Sequence, residues 1–457
     1  MIHIQTDCQK NTYSAYHIAK AFFPEEEIEV TIAEGGETPS ELYQRFRKET
    51  GRDLPWGMLT GVRPTKLAMV KMKEQMPLTE FENWFWETRF VSKEKADLAY
   101  DIASREKALL ERAGIYGQQA DSWSLYVNIP FCPTICIYCS FSSGAIADYK
   151  DVIDDYLDCI FREMDAVKGF IEQAGRSKPT TIYIGGGTPT TLTPIQLEKL
   201  LTRLQTDFLE EGTEFTLEAG RPDTITEEKL RIAKRCGVTR ISINPQSMQE
   251  KTLKTIGRHH SPQQIKDAFL LARSIGFDNI NMDLIMGLPG EDAADVKDTL
   301  RQIAELRPDS LTIHSLSIKR ASQIFHQTTG AQTVEQMLEE AAAFARELGM
   351  QPYYLYRQKG IAGNFENTGW ALPGKECLYN ILIMEELESI LAVGAGATTK
   401  VVLKEAIPAK EGRTDKQTKL VRIKNVSDIR EYLSRIDEMI GRKEAVFHPE
   451  KQVLKKQ

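Results

Sequence analysis

Between residues 125 and 356 the sequence alternates strand-like segments with helical patterns, and this repeat restricts the fold more than any other feature. Six strands are predicted, each followed by a helical pattern: Leu125–Ile129, Thr181–Ile184, Glu214–Leu217, Arg240–Ile243, Asn279–Leu284 and Ser310–Leu316. Six consecutive βα units predict a parallel sheet that curls toward a barrel. In such barrels the functional groups lie at the carboxyl ends of the strands.

Helix boundaries are marked by capping signals. A hydroxyl cap, a proline and a glutamine three positions after the cap predict capping boxes at two helix starts: Thr193 with Gln196, and Ser261 with Gln264. Thr224 and Glu227 predict a third box without proline. Glycines that accept a left-handed backbone are predicted to end three helices: Gly237, Gly276 and Gly349.

The flanking sequence divides the chain into three predicted domains. Residues 1–122 predict a small α/β lead domain with additional helices, residues 123–358 the barrel, and residues 359–457 a C-terminal extension. The extension is predicted to contain a Gly- and Asn-rich loop, two helices and a charged stretch: Tyr379–Leu387 and Val426–Ile440 for the helices, and Lys404–Lys424 for the charged stretch.

Charge and hydropathy exclude several classes of protein. The formal net charge is −7, which gives the chain no overall basic character, so nucleic acid is not an expected partner, although 58 Lys and Arg residues leave a locally basic pocket open. No segment approaches the roughly 20 apolar residues of a membrane span. The first ten residues lack the uninterrupted apolar stretch of a signal peptide. We therefore expect a cytoplasmic protein with no membrane span.

Three of the seven cysteines are clustered directly after the first predicted strand, at Cys132, Cys136 and Cys139. Three thiolates at this spacing can hold three irons of a 4Fe–4S cluster and leave the fourth iron open. The alternative is structural zinc, which requires four ligands, usually from two C-x-x-C pairs. Only one such pair is present and no histidine lies nearby in the sequence, so the spacing indicates an iron–sulfur cluster. The remaining cysteines are interpreted as buried apolar residues: Cys8, Cys159, Cys236 and Cys377.

The string YVNIPFCPTICIYCSF at residues 126–141 resembles the cluster loop of the radical S-adenosylmethionine (SAM) superfamily, in its coproporphyrinogen III dehydrogenase branch. The resemblance covers roughly Ser124 to Lys400. Two strings, TGVRPTKL at 60–67 and YYLYRQKGIAGNFENTG at 353–369, resemble the HemZ type of this family. Asn128 departs from the family's usual histidine, so no imidazole role is carried over to it. The resemblance implies an α/β fold with a partial (βα)6 barrel, and a 4Fe–4S cluster and SAM as cofactors.

The same resemblance implies which residues bind these cofactors. The three cysteines would hold the cluster, and the glycine-rich segment after the second strand would expose amide donors to SAM. The residues implied at the cofactor site lie beside the cluster or at strand ends: Tyr126, Tyr138, Gly186, Gly187, Thr188, Glu218, Gln246, Arg258, Asp283 and Leu316. Asp283 lies within an apolar strand, where an unpaired carboxylate is costly, so we expect it to have a partner.

Several of these motifs can also be interpreted without any role in ligand binding. A triple glycine also forms tight turns, and a glutamate at a strand end is usually solvated. His259 and His260 are expected at the surface. The glycine-rich segment LAVGAGA at 391–397 is interpreted as a structural turn.

The resemblance implies oxidative decarboxylation of two propionates of coproporphyrinogen III to give protoporphyrinogen IX. The expected partners are the tetrapyrrole substrate and a low-potential electron donor such as a flavodoxin or ferredoxin. Basic residues that could bind the substrate carboxylates include Arg221, Lys319, Arg320, Arg357 and Lys359.

Two alternatives remain open. One is a haem carrier with the same barrel, a class that usually contains an H-N-x-x-Y-W string after the barrel. The nearest stretch here, ECLYN at 376–380, lacks the His and Trp, although Cys377 could itself act as a haem ligand. The other is a radical enzyme that acts on a different acidic substrate.

Overall fold

The structure is a computed structural model that describes residues 1–61, 63–116, 122–141, 143–175, 179–317, 329–358, 365–410 and 413–447. These residues form two compact units that alternate along the chain. The first unit comprises Met1–Leu109, Gln246–Ile256 and Asp283–Glu376, and the second comprises Leu110–Pro245, Gly257–Met282 and Cys377–Gln457. The boundaries of the three predicted domains stay predictions.

The strands of the described residues are numbered in chain order: β1 Ile2–Thr6, β2 Ile28–Ile32, β3 Trp123–Ile129, β4 Phe131–Cys132, β5 Gly144–Ala145, β6 Thr181–Gly186, β7 Glu214–Gly220, β8 Arg240–Ile243, β9 Ile280–Met286, β10 Ser310–Ser315, β11 Gln351–Arg357, β12 Glu366–Ala371, β13 Ser389–Val393, β14 Thr398–Lys410 and β15 Arg413–Lys424.

The α-helices are numbered in the same way: α1 Thr12–Phe22, α2 Pro39–Thr50, α3 Pro64–Lys73, α4 Leu78–Arg89, α5 Lys93–Arg112, α6 Ile153–Gln173, α7 Pro194–Phe208, α8 Glu227–Arg235, α9 Glu250–Thr255, α10 Pro262–Ile275, α11 Ala293–Leu306, α12 Ala331–Glu347, α13 Leu378–Glu385, α14 Ile429–Ser434 and α15 Ile436–Phe447.

The second unit is built on a sheet with the order β8-β7-β6-β3-β13-β14-β15. The first five strands in this order run parallel to one another: β8, β7, β6, β3 and β13. Strands β14 and β15 form an antiparallel hairpin. Strand β3 lies between β6 and β13 and is buried along nearly its whole length, as expected for a strand covered on both faces. The first residues of β9 belong to this unit, where Ile280 pairs with Ile241 of β8. The six predicted barrel strands are all present, and β8 has the predicted bounds.

The first unit contains two separate sheets. Strands β1 and β2 are parallel, and their apolar side chains pack with those of α1 and α2, including Ile4, Ile18, Phe22 and Leu42. This is the small α/β fold predicted for the lead domain. In the other sheet the order is β11-β12-β10-β9, with β12 antiparallel to both β11 and β10.

The sequence predicted a Gly- and Asn-rich loop after about residue 360. Residues 359–364 lie outside the described residues, and the prediction was wrong for Glu366–Ala371, which form β12. The segment Glu366–Ala371 contains poor strand formers, but all six residues are buried and the strand is paired on both sides. Pairing and burial therefore outweigh the low intrinsic propensity. The charged stretch Lys404–Lys424 likewise forms most of the β14–β15 hairpin, where Val401 faces Val421.

The structure confirms two of the three predicted capping boxes. Thr193 and Ser261 both form complete capping boxes. The box predicted at Thr224 was wrong: Thr226 caps α8, and its hydroxyl accepts a hydrogen bond from the backbone of Lys229, which cannot complete a box. The three predicted helix-ending glycines have positive φ: Gly237, Gly276 and Gly349. In place of one helix over Val426–Ile440 the chain forms α14 and α15.

A buried carboxylate joins four segments of the second unit. Glu163 of α6 accepts hydrogen bonds from the side chains of Asn425 and Tyr432 at 2.8 and 2.7 Å and from the backbone of Gly394 at 2.8 Å. It also forms an ion pair with Lys443 of α15, and both side chains are almost fully buried. Gly394 has a φ of 101°, and a Cβ there would lie 2.6 Å from the Asn128 carbonyl oxygen. The glycine-rich turn at 391–397 therefore has the structural role predicted for it.

Within the described ranges, none of the helices combines the length and the apolar character that crossing a membrane requires.

We predict that Lys443→Met lowers the free energy of unfolding by about 3–5 kcal/mol, because it leaves the Glu163 carboxylate buried without its counter-charge. The double variant Glu163→Gln/Lys443→Met should recover much of this loss. Urea unfolding followed by circular dichroism measures both. Arg435→Met removes a surface ion pair and should change stability little. A Lys443→Met variant as stable as the parent would contradict the prediction.

Candidate cofactor-binding site

The three clustered cysteines lie in one loop at the carboxyl end of β3. Pro130 follows β3, and β4 then pairs in parallel with β5, with Phe131 opposite Gly144. The Gly144 amide donates to the Pro130 carbonyl at 2.8 Å, so the loop is closed at its base. Within the loop the Cys139 amide donates to the Cys136 carbonyl at 3.0 Å.

The groups around the thiols suit thiolate ligands. The Thr188 hydroxyl donates to Cys132 Sγ at 3.6 Å, and Nη1 of Arg221 lies 3.9 Å from Cys136 Sγ. Burial raises the pKa of the Cys132 and Cys139 thiols above the usual value. Metal binding deprotonates such thiols, and nearby donors stabilise the resulting thiolates.

Among the described residues, no group of three or more His, Cys, Asp or Glu side chains is close enough together to hold a single metal ion. In a 4Fe–4S cluster each thiolate binds a different iron, so its ligands are spaced by the cluster and do not converge on one ion. The donor set of three thiols in one loop fits a cluster of this kind.

The glycine-rich end of β6 packs directly against the chain that leads to the cysteines. The Gly187 amide donates to the Ile129 carbonyl at 2.9 Å, and the Thr188 amide donates to the Phe131 carbonyl at 2.7 Å. The sequence predicted that this segment exposes amide donors, but these two amides are bound within the protein. The role of Gly186, Gly187 and Thr188 in SAM binding stays a prediction.

Glycine is required here for close packing. Gly186 has a φ of 109°, and a Cβ at this position would lie 2.0 Å from the side-chain oxygen of Asn128. A Cβ at Gly187 would lie 2.6 Å from the Phe131 carbonyl oxygen. The segment therefore fixes the distance between the ends of β6 and β3, and so the position of the cysteine loop.

Glu218 lies two residues before the end of β7, next to three stacked tyrosines. The Tyr183 hydroxyl donates to Glu218 Oε1 at 2.6 Å. The Tyr183 ring lies 6.2 Å from that of Tyr126 and 4.4 Å from that of Tyr379. Burial, together with the charge of Glu218, raises the pKa of Tyr126, so its phenol stays protonated.

The sequence did not identify Tyr183 or Tyr379 as part of this site. Tyr183 could have been found from the strand register, since it lies directly opposite Tyr126 on the neighbouring strand. Tyr379 lies outside the barrel repeat, and no local pattern connects it to the other two rings.

Arg258 is buried beside the cysteine loop. Its Nη2 donates to the Tyr138 hydroxyl at 3.2 Å, and its Nη1 donates to the Asn244 carbonyl. Arg258 and Tyr138, two predicted site residues, are thus brought together. The side-chain oxygen of Asn244 is buried and has no hydrogen-bond partner among the described residues, as expected of a group that binds a ligand.

The prediction that the two neighbouring histidines lie at the surface was wrong for one of them. His259 is exposed, but the His260 side chain is fully buried, with Nδ1 3.8 Å from Asp223. Burial and the charges of Arg258 and Arg221 lower the pKa of His260 to about 3, so it is neutral at physiological pH.

Three predicted site residues belong to the first unit. Gln246 has a φ of 65°, and its amide donates to the Asp283 carbonyl at 2.9 Å. Its side-chain oxygen is buried without a hydrogen-bond partner in the described part of the chain. His314 Nε2 lies 3.9 Å from the Asp283 carboxylate, and the cofactor contact expected of Asp283 stays a prediction. The Leu316 amide donates to the Met286 carbonyl at 3.0 Å.

Two of the basic residues considered for substrate carboxylates are bound within the protein. Arg221 forms a two-point ion pair with Asp223. Arg357 donates to the Leu59 carbonyl at 2.9 Å and lies over the Trp56 ring. Burial lowers the pKa of Arg357 to about 10. Three further candidates lie outside the described residues: Lys319, Arg320 and Lys359.

Comparison with known proteins identifies the family. Residues 126–303 match the family model of the Radical SAM superfamily. The chain is 42% identical over 364 residues to the oxygen-independent coproporphyrinogen-III oxidase-like protein HemZ of Bacillus subtilis (strain 168), covering 78% of this chain and 72% of that protein. The chain belongs to the radical SAM superfamily and is of the HemZ type. Its cofactors are therefore a 4Fe–4S cluster and SAM.

Proteins described as heme chaperones are also similar to this chain. The chain is 32% identical over 276 residues to the heme chaperone HemW of the same Bacillus subtilis strain, covering 60% of this chain and 70% of that protein. Among solved structures, coproporphyrinogen III oxidase HemN of Escherichia coli matches with a TM-score of 0.54 and 24% identity, covering 73% of each chain. This match shows the predicted fold class, the α/β radical SAM fold.

We predict that single replacement of Cys132, Cys136 or Cys139 by Ala abolishes the cluster or leaves it labile, because each would remove one iron ligand. The measurement is iron content and visible absorbance after anaerobic reconstitution. Cys159→Ala removes a cysteine from α6 and should retain the full cluster. Three loop variants with normal iron content would exclude the assignment.

We predict that Gly186→Ala weakens SAM binding at least about tenfold while the cluster is retained. The added Cβ would displace the end of β6 from Asn128, and backbone strain of this kind costs on the order of 1–3 kcal/mol. Titration calorimetry on the reconstituted protein measures the affinity. Gly212→Ala provides a matched control, since Gly212 also has positive φ but faces open space. Equal affinities for Gly186→Ala and the parent protein would contradict the prediction.

Proposed function

We propose that this HemZ-type protein catalyses the oxygen-independent oxidative decarboxylation of two propionates of coproporphyrinogen III, giving protoporphyrinogen IX in porphyrin and haem biosynthesis. For each propionate, one hydrogen atom and one carbon dioxide leave and one electron passes to an external acceptor, so that a vinyl group remains. A low-potential donor such as a flavodoxin or ferredoxin would reduce the cluster. The cytoplasmic location predicted from the sequence belongs to this proposal.

The residues of the second unit have defined roles in this proposal. When bound, the cluster and SAM supply the one-electron chemistry that removes a hydrogen atom from the propionate. Cys132, Cys136 and Cys139 would hold the cluster, and Arg258 with Tyr138 would define the wall beside it. The tyrosine stack lies against Glu218, with Tyr379 buried and Tyr126 and Tyr183 half-buried. These rings would limit the water that reaches reactive species in the site.

The observation that carries the proposal over the haem carrier is the environment of Cys377. This thiol is fully buried and its Sγ lies 3.4 Å from Glu214 Oε1. The same carboxylate accepts hydrogen bonds from the amides of Leu378 and Tyr379 at 2.7 and 3.1 Å. The Glu214 carboxylate is therefore occupied by hydrogen bonds to the first turn of α13.

Burial, with the nearby charge of Glu214, raises the pKa of Cys377 to about 12. A haem-ligating cysteine acts as a thiolate. The sulfur of Cys377 is enclosed and contacts Glu214, so it is not open to a haem iron, and this supports the view that Cys377 does not replace the carrier's histidine. This supports the enzyme over the carrier. A different acidic substrate is separated from coproporphyrinogen III by analysis of the products.

We predict that the reconstituted protein, given coproporphyrinogen III, SAM, a reductant and an electron acceptor, releases carbon dioxide and forms a monovinyl intermediate and then protoporphyrinogen IX. Chromatography of the oxidised tetrapyrroles measures this result. The Cys136→Ala variant should give neither product, because it lacks the cluster.

Haem titration of the same preparation provides the opposing test, and we expect no tight stoichiometric binding. Stable haem binding without loss of carbon dioxide would favour the carrier. SAM cleavage without tetrapyrrole products would favour another acidic substrate.

A further inference from the structure

The sulfur of Cys136 lies beside two buried guanidinium groups. Nη1 of Arg221 is 3.9 Å from Cys136 Sγ, and Arg258 also interacts with this thiol. The two arginines are only 3% and 6% exposed. A buried positive charge acts more strongly on a nearby thiolate than an exposed one, because water screens it less.

The other two cluster cysteines have uncharged hydrogen-bond donors. Cys132 receives a hydrogen bond from the Thr188 hydroxyl at 3.6 Å. At Cys139 the nearby backbone amide of Phe141 favours the thiolate and lowers the pKa of the thiol, against the effect of burial. The charge of Arg221 also acts on Cys132 and that of Arg258 on Cys139. The direct contact between Arg221 and a thiol sulfur is with Cys136.

Three hydrogen bonds to two side chains hold the Arg221 guanidinium in position. Its Nε and Nη2 donate to the two carboxylate oxygens of Asp223 at 3.0 and 2.8 Å. Its Nη1 donates to the Thr134 hydroxyl at 3.1 Å. Thr134 lies in the loop between Cys132 and Cys136, and its hydroxyl contacts the Gly257 carbonyl at 3.1 Å. The guanidinium is thus bound to the cysteine loop itself.

The charges around Arg221 are well defined at neutral pH. Burial alone would raise the pKa of Asp223, but the hydrogen bonds and charge of Arg221 outweigh it and hold the pKa below its usual value. Asp223 is therefore ionised. His260, which lies beside Asp223, is neutral for the reasons given above. Asp223 partly offsets the charge of Arg221.

We propose that Arg221 is a positioning residue that raises the reduction potential of the cluster through Cys136, and that Asp223 limits this effect. The potential of an iron–sulfur cluster depends on hydrogen bonds to its sulfurs and on nearby charge. Reduction adds one electron to the cluster, so a positive charge beside one ligand favours the reduced state. This role does not depend on which substrate the enzyme uses.

The test is a redox titration of the reconstituted protein followed by electron paramagnetic resonance, without substrate. In Arg221→Met the ratio of reduced to oxidised cluster at a fixed potential should fall about tenfold, which is a shift of about 59 mV to more negative potential for a one-electron couple. Arg221→Lys keeps the positive charge and should shift the reduction potential less than Arg221→Met does. Asp223→Asn removes the offsetting charge and should shift the potential in the opposite direction.

Arg231→Met is the matched control, since Arg231 forms a surface ion pair with Glu227 in the same unit and should leave the potential unchanged. Iron content confirms equal loading before each titration. If Arg221→Met does not retain the cluster, the Lys and Asp223→Asn variants still give the sign of the effect. If Arg221 had a purely structural role, the reduction potentials of Arg221→Lys and Asp223→Asn would shift in the same direction. That result, or an unchanged potential in both variants, would overturn the proposal.

Discussion

The second unit depends on one buried carboxylate. Glu163 accepts four hydrogen bonds from groups that are distant in the sequence, and its ion pair with Lys443 supplies the counter-charge without which it could not be buried. The turn that it binds, at Gly394, lies against the end of β3. The Tyr156 hydroxyl connects the Ala395 amide to the Asn128 carbonyl, with both contacts at 2.9 Å. The C-terminal helix is therefore linked by hydrogen bonds to the strand that leads to the cysteines.

Asn128 shows how a departure from the family pattern is accommodated. Its side-chain nitrogen donates to the Ala395 carbonyl at 2.6 Å, and its side-chain oxygen accepts from the Tyr126 hydroxyl at 3.0 Å. A neutral imidazole also has one donor and one acceptor. The amide can therefore make the same kind of connection as the usual histidine, but it cannot gain a proton, so this position carries no charge at any physiological pH.

The sequence predicted the parts of the structure that depend on local patterns. The barrel strands, the caps at Thr193 and Ser261 and the spacing of the cysteines are all encoded within short segments. Strand β12 and the β14–β15 hairpin were missed because their stability comes from pairing with distant strands. The same limit applies to the candidate site: the cysteine motif was evident, whereas Tyr379 and the contact of Arg221 with Cys136 depend on tertiary proximity.

The left-handed backbone conformation of Gln246 affects which substitutions the protein tolerates at this position. A residue with a side chain in the left-handed region costs roughly 1–2 kcal/mol, which Gly or Asn would largely avoid. Its buried side-chain oxygen has no partner among the described residues, which adds a further cost. A laboratory selection for heat resistance alone would therefore replace Gln246 early. Thermal tolerance and the cofactor contact predicted for Gln246 would impose opposite demands on this residue, and stabilised variants that keep glutamine would have to gain their stability elsewhere.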